Sequence, residues 1–430
     1  MPGCYRPFVF LLIALLAAVL DPSFVRAELR PGDVLGQKNW QEAKGLLPEL
    51  VLRRFQDGSY EARVFAPADV LRWGSKFMAA AEANAGKFSV DADGALLDVA
   101  AQTYPAFLYG YPFPRIDPAD PHAATKVMYN FSYALMQPDD ADRFSNLHWV
   151  NPARLERQVE FQGLILFYGS RFSGPIPNPD ATLRKLIVAG VSPHEVVGVV
   201  TLQWVYLDPK QWNSLWTFIP ALNRVRRLNP ANSSDRLFGS ELTHDDPYLF
   251  SGKVPYFTWK LVGAQDALVP YTLPNPKTLR PAAQGYRLES PEDFLRMGWQ
   301  AEGWNGKPWW PTAYRLIRRP VWVVEAVPKD PKYAYSRQIL WIDRELYIGY
   351  YKETYDKDGR QWRMLLNSVS IGRTADGEFT VAQPDLTLAV DEQRDRATVE
   401  LPLKPGQQLA FNVGLSPELF TQSELMKRAK

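Results

Sequence analysis

The sequence predicts a mainly β protein with a few helices, an α+β chain whose strands build one large, curved antiparallel sheet. Three observations carry that prediction. From Arg157 onward, apolar and polar residues alternate with period two, as in half-buried strands. The apolar runs come in hairpins with short connections, above all Val199 to Ile219 and the succession from Val321 to Val369. Aromatic residues make up 13% of the chain, with 14 Trp and 20 Tyr, and large stiff rings suit wide β surfaces and concave pockets. An aromatic-rich core and a ring-lined ligand pocket both account for that richness, because burial alone explains many such rings.

The elements follow in order. From Asn39 to Phe55, Trp40, Ala43, Leu46, Leu47, Leu50 and Val51 fall at helical spacing, with Pro48 as an interruption. A second helix is expected to begin near Pro67 and to carry Val70, Leu71, Phe77, Met78 and Ala81 on one side. Gly110 to Pro121 holds four prolines and reads as an extended loop, after which Val127, Met128, Phe131 and Leu135 form a helical stripe. Strands follow at Val159 to Phe167, Leu186 to Val191, Val196 to Leu207 and Leu215 to Ile219, where Pro220 places the last of them at an edge or rim. Ser290-Pro291-Glu292-Asp293 is a helix start, and Gly303 to Pro311 a structured loop with three Trp. Val321 to Val327, Gln338 to Asp343, Leu346 to Tyr355 and Trp362 to Val369 read as a meander, with a turn at Asp356 to Gly359. Ser416-Pro417-Glu418 starts a final helix.

The chain has 430 residues, 46% hydrophobic and 22% charged, which is ordinary for a globular protein and argues against disorder. A formal net charge of +2, with both signs interspersed, gives no basis for nucleic-acid binding. Residues 1–27 read as a secretory signal: Arg6, then the apolar run Phe8 to Leu20, then Val25-Arg26-Ala27 with cleavage after Ala27. The alternative is a retained anchor, although the run is short of the ~20 residues that span a bilayer. The single cysteine, Cys4, precedes that run. The mature chain is therefore expected to lack disulfides, cysteine-held metals and thiol nucleophiles, and to be unlipidated and periplasmic. Residues 28–430 read as one domain, with a mixed helical and loop part at 28–156 and the main sheet at 157–430.

Motifs for catalysis are missing from the pattern. No two of His122, His148, His194 and His244 stand three or four apart, so no helical metal pair is expected. Gly169 to Gly174 lacks the spacing of a serine-hydrolase elbow, and there is no phosphate loop. Asp139, Asp140 and Asp142, or Asp245 and Asp246, offer paired carboxylates of the kind glycosidases use, but neighbours in sequence are more commonly solvated loop acids. A binding protein without cofactor or metal is the expectation.

The most informative stretch runs from Leu215 to Asp246, as LWTFIPALNRVRRLNPANSSDRLFGSELTHDD. A strand leads into Arg224, Arg226 and Arg227 and ends in a polar segment closed by Asp245 and Asp246. The arginines and acids either form an internal salt-bridge network or meet a phosphate or acidic partner. This stretch, with the later RRPVWVVEAVPKDPKYAYSRQILWIDRELYIGYYKETYDKDGRQWR, resembles the outer-membrane lipoprotein-sorting proteins of the LolA/LolB-like superfamily. The segments NWQEAKGLLPE, Pro112-Phe113-Pro114 and WKLVGAQDALVPY resemble a long, related periplasmic branch of unknown function.

That resemblance implies an incomplete, curved antiparallel β-barrel with helices over its concave side, sheltering lipid or lipoprotein acyl chains between membranes. It also implies an RND-type exporter or an outer-membrane protein as partner. Acyl chains need a dry surface, at about 0.8 kcal/mol for each buried CH₂. The bulky strand residues expected to supply it are Leu202, Trp204 and Tyr206, Trp216 and Phe218, Trp322 and Val324, Trp341, and Ile348 and Tyr350. Arg224, Arg226, Arg227, Asp245 and Asp246 are expected at the rim or partner contact. Period two does not say which face is concave, so this set can stand one residue out of register. Two other readings remain: an envelope glycan-binding or carbohydrate-active protein that stacks sugars on these rings, and a ligand-free adaptor of an envelope transporter.

Overall fold

The computed structural model describes residues 29–66, 71–220, 223–227, 233–272, 277–289, 295–401 and 408–429. The chain enters through β1 (Val34–Leu35), a 3-10 turn at Trp40–Ala43, α1 (Glu49–Gln56), β2 (Ala62–Phe65) and α2 (Ser75–Ala83). A small hairpin of β3 (Phe88–Val90) and β4 (Leu96–Asp98) precedes α3 (Ala123–Ala134). Six strands follow: β5 (Asp140–Val150), β6 (Leu155–Phe167), β7 (Thr182–Ser192), β8 (Val200–Tyr206), β9 (Ser214–Ile219) and β10 (Arg224–Arg227). Next come β11 (Phe257–Pro270) and the short β12 (Lys277–Thr278), β13 (Arg280–Pro281) and β14 (Tyr286–Glu289). The chain ends with β15 (Tyr314–Pro328), β16 (Arg337–Asp343), β17 (Gly349–Tyr355), β18 (Gln361–Arg373), β19 (Thr380–Asp391), β20 (Arg396–Leu401), β21 (Gln408–Phe411) and α4 (Gln422–Arg428).

Thirteen strands lie side by side, every neighbouring pair antiparallel, in the order β10-β9-β8-β7-β6-β5-β20-β19-β18-β17-β16-β15-β11. Among the described residues β10 and β11 do not pair with each other, so the sheet is not closed into a barrel. The protein is thus mostly β with a few helices, as the alternation predicts. The 199–219 hairpin forms with Val200 opposite Phe218, and β15 to β18 form the expected meander.

Three expectations shift. The first helix is cut at Pro48, which precedes α1 with extended ψ and has no N–H to continue the turn before it. The second helix starts at Ser75. Gly74 before it is extended, and its backbone lies so close to Glu378 that a Cβ there would sit 2.1 Å from that carbonyl oxygen. Pro67 and Val70 lie outside the described residues, as do residues 1–28 and the Ser290 to Asp293 helix start. Strands also precede Arg157: the short β1 to β4, and then the first long one, β5, from Asp140. The alternation of β5 is masked because its buried polar groups are satisfied by neighbours: Asp140 accepts from the amides of Val413, Gly414 and Leu415, and Asn146 donates to the Leu401 carbonyl. At the C-terminus Ser416 caps a 3-10 turn, and Thr421 caps α4.

The β6–β9 half of the sheet buries both faces. On the outer face Leu164, Leu166, Ile187, Val200, Leu202 and Phe218 pack with Phe420 and Leu425 of the C-terminal segment. The inner face opens onto a cavity.

Candidate functional site

The cavity has a volume of about 630 Å³. Most of its floor is the inward set of β5 to β9. β8 contributes Thr201, Gln203 and Val205, and β9 contributes Leu215, Thr217 and Ile219. From β6 come Phe161, Gly163, Ile165 and Phe167, which follow the same period. The C-terminal half of α3 supplies Tyr129 and Tyr133, and Met136 follows just beyond its end. A strandless segment covers the rest with Leu237, Phe238, Leu242, Tyr248, Phe250 and Val254.

That cover is fixed from beneath. Asp246 and Lys352 form a 2.6 Å ion pair with both side chains 0% exposed. Asp246 also accepts from the Tyr335 hydroxyl and the Thr243 amide, and Lys352 donates to the Leu249 carbonyl. Next to it, Asp245 accepts from Ser233 Oγ and the Tyr333 hydroxyl. Three non-glycine residues of the cover adopt left-handed backbone: Phe238 (φ 52°), Tyr248 (φ 59°) and Leu249 (φ 75°). Each such residue costs on the order of 1 kcal/mol. The anchor offsets that strain and turns two rings inward: Phe238 stacks on Phe161 at 4.4 Å, and the Tyr248 hydroxyl accepts from Arg143.

Burial pushes the Asp245 carboxyl up from 3.8 to about 6. Its folded value therefore lies above its unfolded value, and between those two values only the folded state holds the proton. Stability contributed by Asp245 is full below pH 4 and is lost as pH rises through 6, by roughly two pH decades at about 1.4 kcal/mol each. Asp245→Asn should thus be more stable than the parent at pH 7 and lose that advantage at pH 4, as read by urea unfolding across pH. An equal difference at both pH values would contradict the assignment.

The cavity wall is apolar but not neutral. Arg143, Arg184 and Lys253 line it, with Glu400 as the one acidic side chain among the described lining residues. Glu400 accepts from Ser145 Oγ at 2.6 Å. Burial holds the Arg143 guanidinium below its ordinary range, with Glu400 working in the opposite sense. Burial pushes Arg184 down to about 10 and Lys253 down to about 8. His244, also in the lining, is lowered by burial. Among the described residues no group of three or more His, Cys, Asp or Glu could hold a metal ion. No helix there is long and apolar enough to cross a membrane.

The structure redistributes the residues singled out from sequence. Leu202, Trp204, Trp216 and Phe218 lie on the outer face, where Trp204 donates to the Phe420 carbonyl and meets Trp216 edge-on at 5.4 Å. For this hairpin the expected face was one residue out of register, because α4 covers the even-numbered side. Tyr206 does border the cavity, next to the bulge at Thr182/Arg184. Trp322, Val324, Trp341, Ile348 and Tyr350 are buried in the main core away from the cavity, with Tyr350 donating to Asp343. Arg224 and Arg226 are exposed on β10, paired with β9, and Arg227 donates to Ser214 Oγ. Asp245 and Asp246 are not rim groups paired with these arginines. They are buried, and Asp246 is held by Lys352. Arg143, Gly163 and Arg184 were missed, although each stands at an inward position of its strand.

Comparison with solved structures finds partial likeness. A DUF1329 family protein from Desulfovibrio piger matches at 16% identity and a TM-score of 0.49, over 71% of this chain and 100% of that one. A Vibrio parahaemolyticus domain named for outer membrane lipoprotein sorting matches at 16% identity and a TM-score of 0.48, over 71% and 100%. A LolA superfamily protein from Nitrosomonas europaea matches at 14% identity and a TM-score of 0.41, over 70% and 98%. Among curated proteins none matches the chain. Residues 34–425 match the model of a family described as protein of unknown function DUF1329, and the chain belongs to that family, the long branch of unknown function to which its motifs pointed.

Proposed function

We propose that the protein is a non-catalytic carrier of a lipid or lipidated ligand in the bacterial periplasm, holding acyl chain in the cavity under the 237–255 cover. The observation that carries this reading is the cavity itself. Its volume of about 630 Å³ lies within the ~300–1,000 Å³ of small-molecule sites. Its wall is built mainly from aliphatic and aromatic side chains on an open sheet. The exposed Arg224 and Arg226 of the edge strand support contact with an acidic surface of an envelope partner, such as the exporter expected from sequence.

An apolar chain in such a wall contributes about 0.8 kcal/mol per CH₂, close to a fourfold gain in affinity per added carbon. Titration calorimetry with straight-chain amphiphiles of increasing length should show a steep rise of that order until the cavity is full. A flat dependence on chain length, or tighter binding of soluble oligosaccharides than of any amphiphile, would overturn the carrier reading.

A further inference from the structure

Two arginines point into an apolar cavity, and neither makes an ion pair among the described residues. Taking a cation out of water without a partner is expensive, so such groups persist where they serve a ligand. The two are not equivalent. Arg143 stands opposite Gly163 on the neighbouring strand, which in turn faces Val188. It donates to the Tyr248 hydroxyl and has Glu400 nearby. Arg184 lies four residues further along β7, at about 3.3 Å per residue, so it occupies a different end of the cavity. Among the described residues its side chain makes one hydrogen bond, a long one of 3.5 Å to the Ser251 carbonyl. The acid whose charge acts on it, Asp245, already accepts from Ser233 and Tyr333.

Two residues beyond Ser251 stands Lys253. Its ammonium donates to the carbonyls of Asp208 and Gln211 at 2.7 and 2.6 Å, which leaves one of its three N–H donors unassigned. One end of the cavity therefore presents a guanidinium and an ammonium, while the remaining wall from Phe161 to Ile219 is largely apolar. A neutral chain would leave the Arg184 guanidinium with only its long contact to the Ser251 carbonyl.

We propose that the cavity takes an anionic amphiphile, a single-chain lipid ending in a carboxylate or phosphate, with Arg184 holding the anionic group and Lys253 beside it. The inference rests on the carrier reading and narrows its ligand class. A guanidinium accepts a carboxylate or a phosphate through paired N–H donors, so both headgroups share this chemistry.

The test compares palmitate, hexadecyl phosphate, hexadecanol and inorganic phosphate on the full mature chain by titration calorimetry. Palmitate or hexadecyl phosphate should bind about tenfold or more tightly than hexadecanol. Arg184→Gln should remove that preference, weakening the two anionic probes at least tenfold more than hexadecanol. Its melting temperature should be unchanged or raised, because an uncompensated cation has been removed. A role in structural ion pairing would lower it instead. Lys253→Gln gives a second variant and should reduce the preference severalfold. Equal affinity for the anionic and neutral chains, or a preference that survives Arg184→Gln, would overturn the proposal while leaving the carrier reading intact. Competition by inorganic phosphate as strong as by hexadecyl phosphate would also overturn it, by making the anion alone the ligand. Failure of all three sixteen-carbon probes to bind would sink the carrier reading and this inference together.

Discussion

Lys352→Met should destabilise the protein by about 3–5 kcal/mol, the range for removing one partner of a buried ion pair. Lys352 and Asp246 are both 0% exposed, so the deserted carboxylate would have no water to turn to. The loss would propagate. Asp246 also receives the Tyr335 hydroxyl, which in turn accepts from Arg363 Nη1 at 3.0 Å, and Lys352 holds the Leu249 carbonyl where the backbone is left-handed. Urea unfolding of the single variant should show the full loss. The double variant Lys352→Met with Asp246→Leu should recover much of it, because neither member of the pair is then left behind as a deserted charge. Protease cleavage should also appear within 237–255 in the single variant, since that segment depends on the anchor. A loss below 1 kcal/mol would mean that the pair does not hold the cover down.

Gly163→Phe should block acyl-chain uptake with the fold intact. Gly163 lies in the middle of β6 on the cavity floor, with ordinary extended backbone. A Cβ built there meets nothing nearer than Arg143 Cγ at 3.7 Å and Leu186 Cδ1 at 3.9 Å, so the ring would enter empty space. Phenylalanine also favours strands where glycine weakens them. Affinity for a sixteen-carbon chain should fall a hundredfold or more, on the order of 3 kcal/mol of lost contact, while urea unfolding stays at or above the parent. Gly190 is a control of opposite sign. Its Cβ would sit 2.1 Å from the Val196 carbonyl oxygen, so substitution there should damage the fold and not the cavity alone.

What could be read from sequence was what alternates. The 199–219 hairpin and the β15 to β18 meander announce themselves by period two and short turns, including Asp356 to Gly359, where Gly359 takes φ 77°. The face of that hairpin could not be read, because period two offers two equal faces and the choice depends on what covers each. Phe420, which settles the matter, lies 216 residues beyond its hydrogen-bond partner Trp204. β5 stayed hidden because Asp140, Asn146 and His148 break its pattern, and their partners lie more than 250 residues away. Asp246 looked like a rim acid for the same reason: its lysine is 106 residues downstream. The aromatic richness pointed to both a core and a pocket. Trp322, Trp341 and Tyr350 went to the core, and Phe161, Phe238 and Tyr248 to the cavity.

Under the proposed function this cavity carries an acyl chain in the cell. The direct measurement is organic-solvent extraction and mass spectrometry of the native protein purified from cells without detergent, with Gly163→Phe processed in parallel. A stoichiometric lipid in the parent that is missing from Gly163→Phe is the predicted result. An empty extract from the parent, still empty after incubation with envelope lipids, or the same lipid at the same level in both proteins, would contradict it.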